Sequence, residues 1–177
     1  MSISGMFMLS IHAYGGDLAS NELKQLSELQ SGYEDLAIVE LNGAGNSVAS
    51  INQNSNIYGK GNVAKIKQQG ENNSAYIGQK GNANRALIDQ KGNDNTAAIL
   101  QLGYSNDGYI VQNGNNNEAY IVQKGQYMEH SINQQGDDNQ AFIMDKRGVN
   151  HSAYSVEQSG SEQIILVNGM NRNISIY

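Results

Sequence analysis

The central part of the sequence repeats itself every eleven residues, and this periodicity constrains the fold more than any other feature. In each copy Gln lies two residues before Gly, and Ile lies two residues before Gln. Ala lies two residues before most of the Ile residues. The repeated glycines, which we interpret as turn residues, are Gly70, Gly81, Gly92, Gly103, Gly114, Gly125 and Gly136. A register kept over so many copies is not explained by chance.

The spacing inside one copy predicts a strand followed by a corner. The fixed residues follow the pattern N-x-A-x-I-x-Q, and a period of two is typical of a β-strand rather than a helix. Asn, Ala, Ile and Gln therefore point to the same face. In the Gly-x-x-Asn segment that follows, Gly is expected to take a positive φ, which Asn also tolerates.

Since one strand cannot bury its face alone, two successive units are predicted to face each other as one rung of 22 residues. Ile66 would then face Ala75, and Ala64 would face Ile77, across a gap of ~10 Å. Stacked rungs would place equivalent residues in columns about 4.8 Å apart, where amide side chains bond to one another. The predicted fold is an all-β, two-sheet β-solenoid with a cross-β core and an N-terminal arm outside it.

Two sets of residues are predicted to fill the inside of the solenoid. The core set is Ile66, Ile77, Ile88, Ile99, Ile110, Ile121, Ile132, Ala64, Ala75, Ala86, Ala97, Ala119 and Ala141. The amide-ladder set is Gln68, Gln79, Gln90, Gln101, Gln112, Gln123, Gln134, Asn62, Asn73, Asn84, Asn95, Asn106, Asn117 and Asn139. Gly108 and His130 occupy two positions where the repeat has Ala.

The repeat is less regular toward both ends. Residues 36–177 are predicted to form the solenoid, with a degenerate first strand at Ala37, Val39 and Leu41 and a longer corner near residues 57–60. Asp145 replaces a repeated Gln, and residues 164–177 remain strand-like. Residues 17–35 are a leader, either a short helix or a flexible arm. Residues 1–16 are either the remnant of a secretion signal or a loose terminus, since they are apolar but lack a basic start.

Composition argues against several classes of function. The net charge of −6 disfavours a nucleic-acid partner, because such partners require clustered Lys and Arg. The three histidines have no metal-ligand spacing, and no catalytic triad or carboxylate pair stands out, so we predict no enzyme, metal or cofactor. Calcium-binding β-rolls need nine-residue Gly-Asp repeats, which are missing. An ice-binding solenoid would need ranks of Thr, and Thr96 is the only one.

The outward positions of alternate units form an apolar stripe on one facet. Its members are Tyr76, Leu100, Tyr120, Val122, Phe142 and Met144. These residues either simply suit strands or form a contact surface for lateral association or for the assembly machinery. The opposite facet begins basic, with Lys65, Lys67 and Arg85. At His130 we expect a local distortion that turns the side chain outward, the alternative being a pH-sensitive packing defect.

The unit N-x-A-x-I-x-Q-x-G-x-x-N resembles the curlin repeat of bacterial curli fibres. NRALIDQKGNDN and NEAYIVQKG resemble the minor, nucleating subunit more than the major one, as does the leader segment DLASNEL. The resemblance covers residues 36–160. It implies secretion through an outer-membrane pore with accessory proteins, and a role in biofilm and adhesion.

The resemblance implies a structural subunit of extracellular functional amyloid at the cell surface. Its expected partners are the major curli subunit and further copies of itself. The preferred function is nucleation of the major subunit by templated strand addition. The alternatives are the major fibre subunit itself or a monomeric β-solenoid adhesin with capped ends.

Overall fold

The computed structural model describes residues 34–56, 59–146 and 152–169. These residues form twelve β-strands joined by short corners. The strands are β1 Leu36–Asn42, β2 Val48–Asn54, β3 Val63–Gln69, β4 Ser74–Asn82, β5 Arg85–Lys91, β6 Thr96–Tyr104, β7 Asp107–Asn113, β8 Glu118–Gln126, β9 Glu129–Gln135, β10 Gln140–Asp145, β11 Ala153–Ser159 and β12 Gln163–Asn168.

The strands alternate between two parallel sheets of six strands each. Sheet A has the order β1-β3-β5-β7-β9-β11, and sheet B has the order β12-β10-β8-β6-β4-β2. Each odd strand and the even strand that follows it make one rung. Equivalent residues pair directly, as Gln68 with Gln90 in sheet A and Gln79 with Gln101 in sheet B. The predicted two-sheet β-solenoid with 22-residue rungs is therefore confirmed.

The core lies between the two sheets and consists of small columns of identical residues. The Ile columns of the central rungs, from Ile66 to Ile143, are at most 1% exposed, and the Ala residues beside them are at most 3% exposed. Ala49, Ile51, Tyr154, Ile164 and Leu166 extend this core, partly buried, into the terminal rungs. Because only the Ala and Ile positions of each strand are apolar, the apolar core is narrow, and the Asn and Gln side chains occupy the rest of the interior.

The corners require Gly for a steric reason as well as a conformational one. Gly92 has φ +111°, and a Cβ built on it would lie 2.0 Å from the carbonyl oxygen of Gly114 in the next rung. The regular corners also contain a second residue with positive φ, which lies directly before the position that Asn occupies in the repeat, as at Asp94 (φ 58°) and Ser105 (φ 54°).

The irregular ends keep the register of the central rungs. β1 pairs with β3 so that Ala37 lies on Ala64 and Leu41 lies on Gln68. The chain between β2 and β3 forms a corner longer than the others, of which residues 57 and 58 lie outside the described residues. β11 and β12 continue the two sheets. The predicted signal remnant, residues 17–33 of the leader and the tail beyond residue 169 also lie outside the described residues.

The outer faces of the two sheets differ. Sheet A carries a second apolar cluster of Ile38, Val63, Leu87 and Tyr109 on its outer side, with Leu36 packed against it. Lys65, in the same column, is also buried, and its Nζ lies 2.8 Å from Glu40 Oε1. Sheet B presents the apolar stripe on its outer side, where Tyr76 and Leu100 are exposed.

Candidate functional site

The inward-facing glutamines form two continuous columns of amide hydrogen bonds. In sheet A, Nε2 of each Gln donates to Oε1 of the Gln in the next rung at 2.8–2.9 Å, from Gln68 through Gln90, Gln112 and Gln134 to Gln158. In sheet B the column runs from Gln53 through Gln79 and Gln101 to Gln123, with each bond at 2.8 Å. Every donor points toward the C-terminal rung, so the stack has a direction.

The second amide proton of each glutamine joins the two sheets. Gln79 Nε2 donates to the carbonyl oxygen of Val63 at 3.1 Å, and Gln90 Nε2 donates to that of Ser74 at 3.1 Å. The same bond recurs in every rung, usually to the residue sixteen positions earlier. Because both donors are used in a nearly dry interior, each amide stabilises its own column and also the contact between the two sheets.

The asparagines form two further columns at the entrances of the strands. In each, Nδ2 donates to Oδ1 of the Asn in the rung before it, at 2.9 Å for Asn84 to Asn62, and the backbone N–H of Asn84 donates to the same oxygen. Nδ2 also bonds a corner carbonyl, as Asn62 does to Gly81 at 2.8 Å. These side-chain donors point toward the N-terminal rung, opposite to the glutamine donors.

Two residues that the sequence analysis did not assign complete the asparagine columns at their N-terminal ends. Asp35 Oδ1 accepts from the backbone N–H of Asn62 at 2.7 Å and from its Nδ2 at 3.1 Å. Ser47 Oγ accepts from the backbone N–H of Asn73 at 3.0 Å. The first position of a column needs only an acceptor, which Asp and Ser provide. In the sequence, these roles are indicated only by position, because Asp35 and Ser47 lie two residues before Ala37 and Ala49, where the repeat has Asn.

The glutamine columns end differently. Leu41 lies beside Gln68 in register, and within the described residues Oε1 of Gln68 has no hydrogen-bond partner. At the other end of sheet A, Gln158 Nε2 donates to the carbonyl oxygen of Gln140 in the rung before it and to that of Glu162 in its own rung. In sheet B the residue beside Gln123 is Asp145.

His130 points inward and is fully buried, so the expectation that it turns outward was wrong. Its column provides the room, because Gly108 lies beside it in one neighbouring rung. In the other, Tyr154 packs against it with ring centroids 5.0 Å apart. The imidazole also has a specific role, since Nδ1 lies 2.8 Å from the carbonyl oxygen of Glu129. In other rungs a Gln amide binds the equivalent carbonyl, and here Asp145 replaces that Gln.

His130 and Asp145, two of the exceptions to the repeat, thus lie in the same rung and compensate for each other. Nε2 of His130 approaches Asp145 Oδ2 at 3.4 Å, a close approach rather than a hydrogen bond, and both side chains are fully buried. Burial lowers the pKa of the His130 imidazole, although the Glu129 carbonyl and Asp145 act in the opposite direction. The neutral ring is therefore the form that the folded rung favours.

The described residues are 34–56, 59–146 and 152–169. No group of three His, Asp or Glu side chains in these segments has the geometry to hold a metal ion. No helix there is long and apolar enough to cross a membrane. The stack of columns and its two terminal rungs are therefore the candidate site.

A family model for the curlin associated repeat matches residues 59–92 and residues 92–125. The two matches cover β3 to β8, where the glutamine and asparagine columns are complete. The chain carries curlin associated repeats. No curated protein and no solved structure matched the chain. The rung that contains His130 and Asp145 lies outside the matched residues.

The curlin repeat indicates the class of protein in which such columns occur. The curlin repeat supports a structural subunit of curli fibres, which are extracellular. The family is one of self-assembling, non-enzymatic proteins.

Proposed function

We propose that this curlin-repeat protein is the minor curli subunit, which nucleates polymerisation of the major subunit at the cell surface. The observation that carries the proposal is the continuity of four amide columns through the stacked parallel rungs from β3 to β8, each column with its own fixed direction. A folded stack of this kind is a template whose pattern an incoming chain with the same repeat can continue.

The terminal rungs are the surfaces on which a new rung would form. Within the described residues, β1, β2, β11 and β12 each pair with one strand only. The chain also contains no Pro, the residue that commonly blocks strand addition. An added strand would gain backbone hydrogen bonds along its whole length and amide bonds at its Gln and Asn positions.

Nucleation by this route needs no catalytic residue. Ordering one residue of a disordered chain costs about 1–2 kcal/mol, and the first rung of a new fibre bears this cost before any ladder exists. A folded template supplies the neighbouring rung in advance, so that each residue ordered on it gains its bonds at once. The expected effect is the loss of the lag phase rather than a change in the final fibre.

The partners in this proposal are the major curli subunit, further copies of this chain, and the outer-membrane secretion pore with its accessory proteins. Attachment at the outer membrane, with roles in biofilm and adhesion, follows from the same proposal. The support is the likeness of the Asn-Ala-Ile-Gln units and the DLASNEL leader to the minor subunit.

The test adds freshly purified, unassembled chain at about one part in fifty to the major subunit and follows thioflavin fluorescence. We expect the lag phase to disappear, whereas the same quantity of fresh major subunit leaves it unchanged. Equal effects of the two additions would instead identify the chain as a main fibre subunit. A chain that stays monomeric for days and binds no thioflavin would be a solenoid adhesin.

A further inference from the structure

The outer face of sheet B has a central region without charge. Its two central columns contain the apolar stripe, and no charged residue interrupts them from β4 to β12. The equivalent columns of sheet A contain Lys65, Lys67, Asp89, Glu40 and Glu157. The outer face of sheet B is therefore without charge in its central columns from β4 to β12, whereas that of sheet A is charged.

The apolar stripe is also smooth. Gly78 allows the ring of Tyr76 to lie along the strand, since a Cβ built on Gly78 would be 3.1 Å from Cε1 and from the hydroxyl oxygen of Tyr76. Leu100 Cδ2 lies 2.9 Å from the same point. Tyr120 and Phe142 pack edge to face, with centroids 6.5 Å apart. Flat apolar faces of this kind pack against another sheet.

The two long edges of this face carry opposite charges. At the start of the sheet B strands, an acidic edge consists of Glu71, Asp94, Glu118 and Asp138. Asp94, Glu118 and Asp138 together line a groove of about 300 Å³, with no basic residue in its wall. At the end of the same strands, a basic edge consists of Lys80, Lys124 and Lys146, all of them exposed. Within the described residues, Lys80 and Lys124 form no ion pair with the acidic edge.

We propose that the outer face of sheet B binds the same face of a second copy of this chain, with the two solenoids parallel. A two-fold axis along the solenoid reverses the strand direction across the contact, so that Glu118 of one copy faces Lys124 of the other. The same operation places Tyr120 opposite Val122 and Phe142 opposite Met144. The basic edge of each copy then lies on the acidic edge of its partner.

Charge selects this arrangement over the reversed one. If the second solenoid pointed the opposite way, with its strands parallel to those of the first, like edges would meet. Lys80 and Lys124 would then approach the lysines of the partner, and the acidic edges would also coincide. The parallel pair leaves both stacks with the same direction, so two template ends lie side by side. This pairing does not depend on whether the chain nucleates fibres or builds them.

The first test measures the mass per length of fibres of the full chain by scanning transmission electron microscopy. Leu100→Arg with Val122→Arg adds charge to the stripe, and Val111→Arg with Asn133→Arg adds it at the same strand position on sheet A. We expect the stripe variant to form fibres with half the mass per length of the wild type, and the sheet A variant to keep the full value. Equal values in all three proteins would overturn the proposal.

The second test uses milder substitutions and reports the orientation. Sheets packed face to face lie ~10 Å apart, within reach of a short bismaleimide. Fibres mixed from Glu118→Cys and Lys124→Cys chains should yield covalent dimers, while fibres of either variant alone should yield none. Dimers from Lys124→Cys chains alone would overturn the parallel arrangement. No dimers from the mixture would overturn the contact itself, whatever the lag phase of the seeding experiment shows.

Discussion

Gln90 lies in the middle of the sheet A column and tests how much the amide ladder contributes to stability. Its Oε1 accepts from Gln68 Nε2 at 2.8 Å, and its Nε2 donates to Gln112 Oε1 at 2.9 Å and to the Ser74 carbonyl oxygen at 3.1 Å. Gln68 and Gln112 are at most 1% exposed. Replacing Gln90 by Leu therefore removes one hydrogen bond from Gln68 Nε2 and one from Gln112 Oε1. Both groups are buried, so water cannot replace the lost bonds.

The size of the effect follows from these contacts. A buried polar group without a partner costs about 1–3 kcal/mol, so two such groups cost about 2–6 kcal/mol. The glutamine already buries two methylene groups, and leucine adds roughly 1 kcal/mol of further apolar burial. We expect the free energy of unfolding to fall by about 3 kcal/mol in Gln90→Leu.

The assay is guanidinium unfolding of freshly dissolved, unassembled chain, followed by far-ultraviolet circular dichroism. Gln69→Leu is the matched control, because Gln69 lies in the same sheet but is exposed on its outer side. That variant should stay within about 0.5 kcal/mol of the wild type. If both substitutions have the same small effect, the amide column does not stabilise the solenoid and our account of the interior is wrong.

Three further predictions concern the corners, the exceptional rung and the first rung. Gly92→Ala, whose Cβ would meet the Gly114 carbonyl, should cost several times more stability than Gly43→Ala, which has φ +58° and no atom within 4 Å. The latter should cost only ~1 kcal/mol, and equal losses would refute the steric account. Because burial lowers the pKa of His130, the unfolded chain binds a proton more readily, so stability should decrease as the pH falls below about 6.5. In His130→Ala this part of the decrease should be missing from a pH series of unfolding measurements, and an unchanged slope would contradict the assignment. Asp35→Ala should accelerate hydrogen exchange at the Asn62 amide, while Asp35→Asn, which keeps an acceptor, should not.

The periodicity allowed most of the fold to be predicted, because a strict repeat determines both the length of each rung and the face of the strand on which each side chain lies. Once Gln68 and Gln90 are 22 residues apart with Ile and Ala in phase, few arrangements other than stacked rungs bury all of them. The degenerate first strand was predictable for the same reason, since Ala37 and Val39 keep the two-residue spacing of the repeat. The role of the columns in assembly stays a prediction that the seeding and substitution experiments test.

The exceptions could not be predicted from the repeat, because each depends on a neighbour in space. In the sequence, His130 is only a large polar residue at an Ala position. Its inward position is explained by Gly108 beside it, which leaves room for the ring, and by Asp145 across the rung. The second positive φ of the corners falls on Ala83, Asp94 and Tyr127, among others, and no single residue type marks that position. Burial of Lys65 on the outer face of sheet A likewise gave no signal in the sequence.

The corner between β2 and β3 shows that the solenoid accepts extra chain without losing alignment. Ala49, Ile51 and Gln53 on one side still lie on their partners in β4, and Val63 on the other side still begins β3 in phase. A foreign peptide grafted into this corner should therefore leave strand pairing intact. In an assembled fibre it would be displayed once per subunit, at regular intervals along a filament of known polarity.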